Sequence, residues 1–182
     1  MEHRVAWLRG INVGAAGRGR KSVPMAELRE LAESLGAREV RTYIQSGNLL
    51  FAGAGTADRW RTKLEAGIRA RFGCEVPVVV SAAADLARAR RACPFADAAA
   101  ERPNLVHIGF TTGSLGRAVP AALAPYCTQE ERVAVRGGFL WADYPVTIAR
   151  SKLTPAVLDR VVGASVTMRN VKTLDAVLAL LA

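Results

Sequence analysis

The stretch EVRTYIQSGNLLFAG, residues 39–53, decides how this chain folds. Val40, Thr42 and Ile44 alternate with Arg41 and Tyr43, the period of a strand with one apolar face. Ser46, Gly47 and Asn48 break that alternation with turn-forming residues. NLLFAG, residues 48–53, then resumes as a partner strand, so the two segments read as the arms of a hairpin.

Working outward, VPMAELRELAESLG (23–36) places Met25, Leu28, Leu31 and Leu35 on one helical stripe, with Pro24 at its first turn and Gly36 at its end. HRVAWLR (3–9) precedes it as a strand. Residues 57–72 follow the hairpin as a second helix, and EVPVVVS (75–81) as a strand with Pro77 near its start. The order is βαββαβ. The second half repeats it: NLVHIGF (104–110), a short helix or turn over 119–126, a hairpin pivoting on Gly137-Gly138, a helix over 155–163, a short strand SVTM (165–168) and a closing helix over 171–182. Residues 82–92 read as a connecting helix ended by Cys93-Pro94. The expectation is an α+β chain of two ferredoxin-like (βαββαβ) units with antiparallel sheets and a C-terminal helix: 1–81, a connector over 82–103, and 104–182.

Composition narrows the classes. A 182-residue chain that is 51% hydrophobic and 23% charged buries a real core and is not a disordered segment. No apolar run approaches the ~20 residues of a membrane span, and the start lacks the apolar stretch of a signal peptide. A cytoplasmic protein without a membrane partner is expected. The three cysteines, Cys74, Cys93 and Cys127, are far apart and odd in number, which predicts buried reduced thiols. The net charge is +9 and lies mostly in residues 1–95, with 16 Lys and Arg against 9 Asp and Glu. Such a balance suits a polyanion or a phosphorylated ligand, and equally a solvated arginine-rich surface.

Searches for catalytic chemistry exclude more than they find. The Walker pattern fails because Arg20 separates Gly19 from Lys21, which argues against an ATPase. Gly14 and Gly19 with Arg18, Arg20 and Lys21 fit a looser phosphate cradle or a plain surface loop. His3 and His107 have no cysteine or carboxylate at a ligand or catalytic spacing, so no metal and no cofactor are expected. His107 reads as a strand histidine. Nothing selects one of Tyr43, Tyr126 and Tyr144 as an acid. Trp7 and Arg9 share a strand face, but NLLFAG lacks an RNA-recognition pattern, so Trp7 is expected to pack.

Two stretches near the C-terminus are more specific. RSKLTP (150–155) sets Arg150, Ser151 and Lys152 before Thr154, a helix cap, and Pro155 at the first helical position. TMRNVKT (167–173) sets Arg169 beside Asn170, a second cap candidate, with Thr173 three residues on. Cations at helix starts are misplaced unless an anion sits there, because the dipole end is already positive.

LRGINVG (8–14), VPMAELRELAESLG, VRTYIQSGNLLF, RSKLT and TMRNVKTL together resemble the bacterial domain-of-unknown-function (DUF) family 1697, in the family's order from Val5 almost to the chain end. The glycine-basic insert at 15–20 departs from the family's shorter loop. The resemblance implies two ferredoxin-like halves and no established activity. Its motif residues here include Arg9, Asn12, Arg41, Tyr43, Gln45, Ser46, Asn48, Arg150, Lys152, Arg169, Asn170 and Thr173, the candidate ligand-binding set. Four arginines and a lysine exceed what turning corners requires. The expected function is binding of an anionic small molecule or nucleic acid, with Arg9, Arg41, Lys152 and Arg169 converging on one cleft between the halves and no obligate protein partner. The alternatives are an enzyme acting on a phosphorylated or carboxylated substrate, and a structural domain whose polar motifs join the halves.

Overall fold

Strand β1 (Glu2–Leu8) carries Ala6 and Leu8 on one side and Val5 and Trp7 on the other, and all four are fully buried. A strand apolar on both sides belongs at the centre of a sheet. The computed structural model, which describes residues 1–12 and 22–181, places it there. β1 pairs antiparallel with β3 (Asn48–Gly53) and with β4 (Val78–Ala82), and β2 (Arg38–Tyr43) pairs with β3, giving the order β2-β3-β1-β4. Helices α1 (Met25–Ser34) and α2 (Ala57–Phe72) lie on the Ala6–Leu8 side. Their Leu28, Leu31, Trp60, Leu64 and Ile68 form one core with Leu49, Phe51 and Val78 of the sheet. The Trp60 ring sits 4.7 Å from Phe51, over Gly53, where a Cβ would fall 2.5 Å from the indole.

The second half has the same element order. α3 (Ala83–Arg91) and α4 (Ala96–Glu101), a helix the sequence does not announce, lead to β5 (Val106–Thr111). Then come α5 (Val119–Leu123), β6 (Arg132–Arg136), β7 (Phe139–Asp143), α6 (Pro155–Val162), β8 (Val166–Asn170) and α7 (Val171–Leu181). The sheet order is β6-β7-β5-β8, again antiparallel throughout. Leu140, Ala142, Tyr144 and Val166 pack with Val119, Leu123, Leu153 and Leu158. By contacts the chain divides into two compact units, Met1–Leu86 with the last residues from Leu180, and Ala87–Ala179. Among the described residues no helix is long and apolar enough to cross a membrane.

Three local readings change. β2 ends at Tyr43, and Ile44 enters the turn with φ 50° and 53% exposure instead of facing the core. The turn sets that geometry: Ile44–Gly47 must reverse the chain within four residues. β8 extends through Asn170, so Arg169 is a strand residue. The cysteines are all free, but only Cys93 is buried, with Cys74 and Cys127 half-buried.

Trp7 lies on the sheet side away from α1 and α2, is wholly buried, and donates its Nε1–H to Ser81 Oγ at 3.3 Å. Trp7→Ala is expected to cost about 3–5 kcal/mol, as for a buried aromatic. Urea denaturation measures it, and a change within about 0.5 kcal/mol, typical of an exposed position, would contradict the burial.

Candidate functional site

The hairpin motif is built around amide side chains that do the work of backbone. Asn48 is fully buried and its Nδ2 donates to the Tyr43 carbonyl at 3.0 Å and to Ser46 Oγ at 3.1 Å, closing the turn from inside. Gly47 takes φ 80°, and its carbonyl accepts the Leu8 N–H at 2.8 Å. A Cβ at Gly47 would lie 2.7 Å from both Leu8 Cβ and Ile11 Cδ1. Asn12, itself at φ 51°, joins three segments. Its Nδ2 donates to the carbonyls of Val23 (2.9 Å) and Gln45 (3.0 Å), and its Oδ1 accepts the Val23 N–H (3.0 Å). The Gln45 side chain is exposed. Asn12→Ala leaves three backbone groups without that partner. A loss of about 1–3 kcal/mol is expected, read from urea midpoints.

Arg41 and Tyr43 face away from α1, whereas Thr42 between them accepts from Arg29 Nη1 at 2.9 Å on the helical side. By register Arg41 sits across from Leu50, and Tyr43 from Asn48, which itself lies opposite Trp7. Arg41 is exposed and its Nη1 donates to the Leu180 carbonyl at 3.2 Å. Arg9 follows β1, half-buried, with its N–H on the Pro77 carbonyl at 3.1 Å. The segment containing Arg18, Arg20 and Lys21 lies outside the described residues.

In the second unit Ser151 donates from Oγ to Glu131 Oε1 at 2.6 Å and accepts the Leu153 N–H at 3.1 Å. Glu131 also accepts the Gln129 N–H at 2.6 Å, and Gln129 Nε2 donates to the Arg150 carbonyl at 2.6 Å. Burial raises the Glu131 pKa, but the hydrogen bonds from Ser151 and the backbone outweigh it and hold the carboxyl below its ordinary value. The result is a fixed loop that exposes Arg150 and Lys152. Both expected helix caps form: Thr154 Oγ1 accepts from Val157 N (3.3 Å) and Asn170 Oδ1 from Thr173 N (2.9 Å). The Thr173 side chain is buried. Arg169 lies across β5 from Ile108, on the side of the sheet that also carries Trp141. Burial lowers its guanidinium to about 10, and its Nη1 donates to the Met168 carbonyl at 2.9 Å.

Sequence reasoning missed the acidic partners, which come from distant strands. Glu131 serves Ser151 from 20 residues away. Asp143, with no exposed surface, accepts two bonds from Arg102 Nη2 (both 2.9 Å) and two from Arg132 (3.0 and 2.7 Å), whose guanidinium lies 4.8 Å over Phe95. His3 meets Glu39 at 3.3 Å. No local spacing rule encodes such pairs.

His107 is a core histidine. Its ring stands edge-on to Tyr144 at 5.3 Å, its Nδ1 has no hydrogen-bond partner, and burial lowers its pKa to about 4, while burial pushes Tyr144 up to about 12. Neither is poised for proton transfer near neutral pH. The unfolded imidazole, near 6.5, takes a proton before the folded one does. Stability is therefore full above pH 6.5 and falls as the pH drops toward 4, by about 3 kcal/mol in total. Denaturation of the wild type and His107→Gln across that range should show the variant lacking this component of the slope.

Comparisons with known proteins bear on the fold. The family model described as "Protein of unknown function (DUF1697)" matches residues 1–141, so the Arg150 and Arg169 motifs lie past its end. The conserved bacterial protein SP0830 from Streptococcus pneumoniae, a solved structure, is similar over 100% of this chain and 99% of its own, with TM-score 0.68 and 23% identity. That likeness is one of fold. No functionally curated protein matches the chain.

Proposed function

The chain belongs to the DUF1697 family, whose description assigns no function, and on that premise we propose that it binds an anionic ligand through its motif cations. The ligand class is a phosphorylated small molecule or a nucleic acid. One contrast carries the reading. Arg61, Arg71, Arg90, Arg102 and Arg132 are each paired with carboxylates, whereas the exposed motif cations Arg41, Arg150 and Lys152, like Arg38, Arg59, Arg117 and Arg136 outside the motifs, form no ion pair with a carboxylate among the described residues. The motif amides do the opposite, since Asn12, Asn48 and Asn170 bond to backbone groups. These amides shape the frame, and the cations without a carboxylate face outward. We also infer that each unit is ferredoxin-like, a reading supported by the βαββαβ order and the 2-3-1-4 arrangement of strands. Residues 1–81 and 104–182 would be those units, joined by 82–103. Three free cysteines suit a cytoplasmic setting.

A second reading has its own support: the amides and Gly47 would suffice to make these motifs fold determinants without a ligand. Thermal shift with phosphate, pyrophosphate, nucleotides and short RNA and DNA separates the two. At 100 times its dissociation constant the right ligand adds about 2.7 kcal/mol of stability. Arg150→Ala, at an exposed position, should lose most of that gain with ligand-free stability nearly unchanged, and Arg150→Lys should recover part. A steep salt dependence favours nucleic acid. No shift beyond that of chloride at matched ionic strength leaves the fold-determinant reading standing.

A further inference from the structure

Arg41 borders a cavity of about 160 Å³ in the first unit, lined also by His3, Glu39, Leu50, Phe51 and Leu180. That is the room of about five waters at ~30 Å³ each. Leu50, paired across from Arg41 on the sheet side away from α1, is 1% exposed and makes an apolar floor. The polar side chains on the wall come from the strands on either side of β3, His3 from β1 and Glu39 and Arg41 from β2.

The placement of Glu39 is the informative feature. The β2–β3 register shifts between Arg38 and Arg41, and Glu39 within that shift takes φ 53°. Such a bulge re-aims a side chain relative to regular alternation. Here Glu39 Oε2 meets His3 Nε2 at 3.3 Å, and the carboxylate nearest in sequence to Arg41 is engaged there. Arg41 is left with one hydrogen bond, from Nη1 to the Leu180 carbonyl at 3.2 Å, and no carboxylate among the described residues. A guanidinium has five N–H donors in a rigid fork matched to phosphate and carboxylate oxygens. Most of that fork is uncommitted at the mouth of an apolar-floored cavity, where it can form charge-assisted bonds to an oxyanion.

We propose that this cavity takes a phosphate group, free or carried on a larger ligand, with Arg41 as its clamp and Glu39 held off by His3. The site deepens the anionic-ligand reading and rests on it, but it names one arginine and one cavity. His3 is a built-in reporter, because the only other histidine, His107, is buried in the second unit and serves as the control.

The test is a proton NMR titration of the full chain with inorganic phosphate and, separately, methyl phosphate, at constant pH and with chloride holding ionic strength. A saturating shift of the His3 ring protons is expected, with His107 unmoved. Saturation by both probes assigns the free ion or the group alike, and saturation by methyl phosphate alone assigns the group on a larger ligand. Arg41→Gln should weaken the apparent affinity by about tenfold or more, and Arg41→Lys by less. A non-saturating drift, or saturation unchanged in Arg41→Gln, overturns the site. If phosphorylated ligands stabilise the protein while His3 stays silent, this site fails and the broader reading stands. If nothing binds by either measurement, both fail.

Discussion

The bond from the Leu8 N–H to the Gly47 carbonyl, 2.8 Å long, ties the end of the central strand to the turn of the neighbouring hairpin. It forms only because residue 47 has no side chain, since a Cβ there would collide with Leu8 and Ile11 while φ sits at 80°. Much of the first unit follows from that contact. It seats Asn48 across from Trp7, which fixes the β1–β3 register and with it the face on which every side chain of both strands lies. It also brings Gln45 within reach of Asn12, whose amide closes the segment beyond β1 onto Val23.

In the second unit a buried charge plays the organising part. An isolated carboxylate without solvent would be costly, but Asp143 accepts four bonds from two arginines, and one of those arginines stacks on Phe95. Arg102 and Phe95 flank α4, so the same carboxylate holds that segment against the sheet. Glu131 does the equivalent for the loop bearing Arg150 and Lys152, gripping Ser151 and the Gln129 backbone. Asp143 and Glu131 are structural because their carboxylate oxygens are already engaged.

Much of the fold was legible because periodicity and turn chemistry are local. Four-residue spacing of Trp60, Leu64 and Ile68 makes one buried helical stripe, and α2 spans the expected 57–72. Gly137 and Gly138 take the left-handed conformations that their hairpin needs. Thr154 and Asn170 cap the helices they precede, because a cap acts only three residues ahead. The candidate site was less legible. Its residue types were identifiable, but Asn12, Ser151 and Arg41 look alike as polar motif residues, and only their partners separate the half-buried brackets from the exposed cation.

By itself, then, the sequence determined the two βαββαβ series, their hairpins and caps, and the basic charge, all of which depend on neighbours a few positions apart. Tertiary structure decided which polar groups are satisfied. Glu39 reaches His3 across 36 residues, Arg102 reaches Asp143 across 41, and Ile44 leaves the core face because a turn had to close. Those outcomes depend on strand register and on a single bulge, and a shift of one residue turns a side chain to the other face of a sheet.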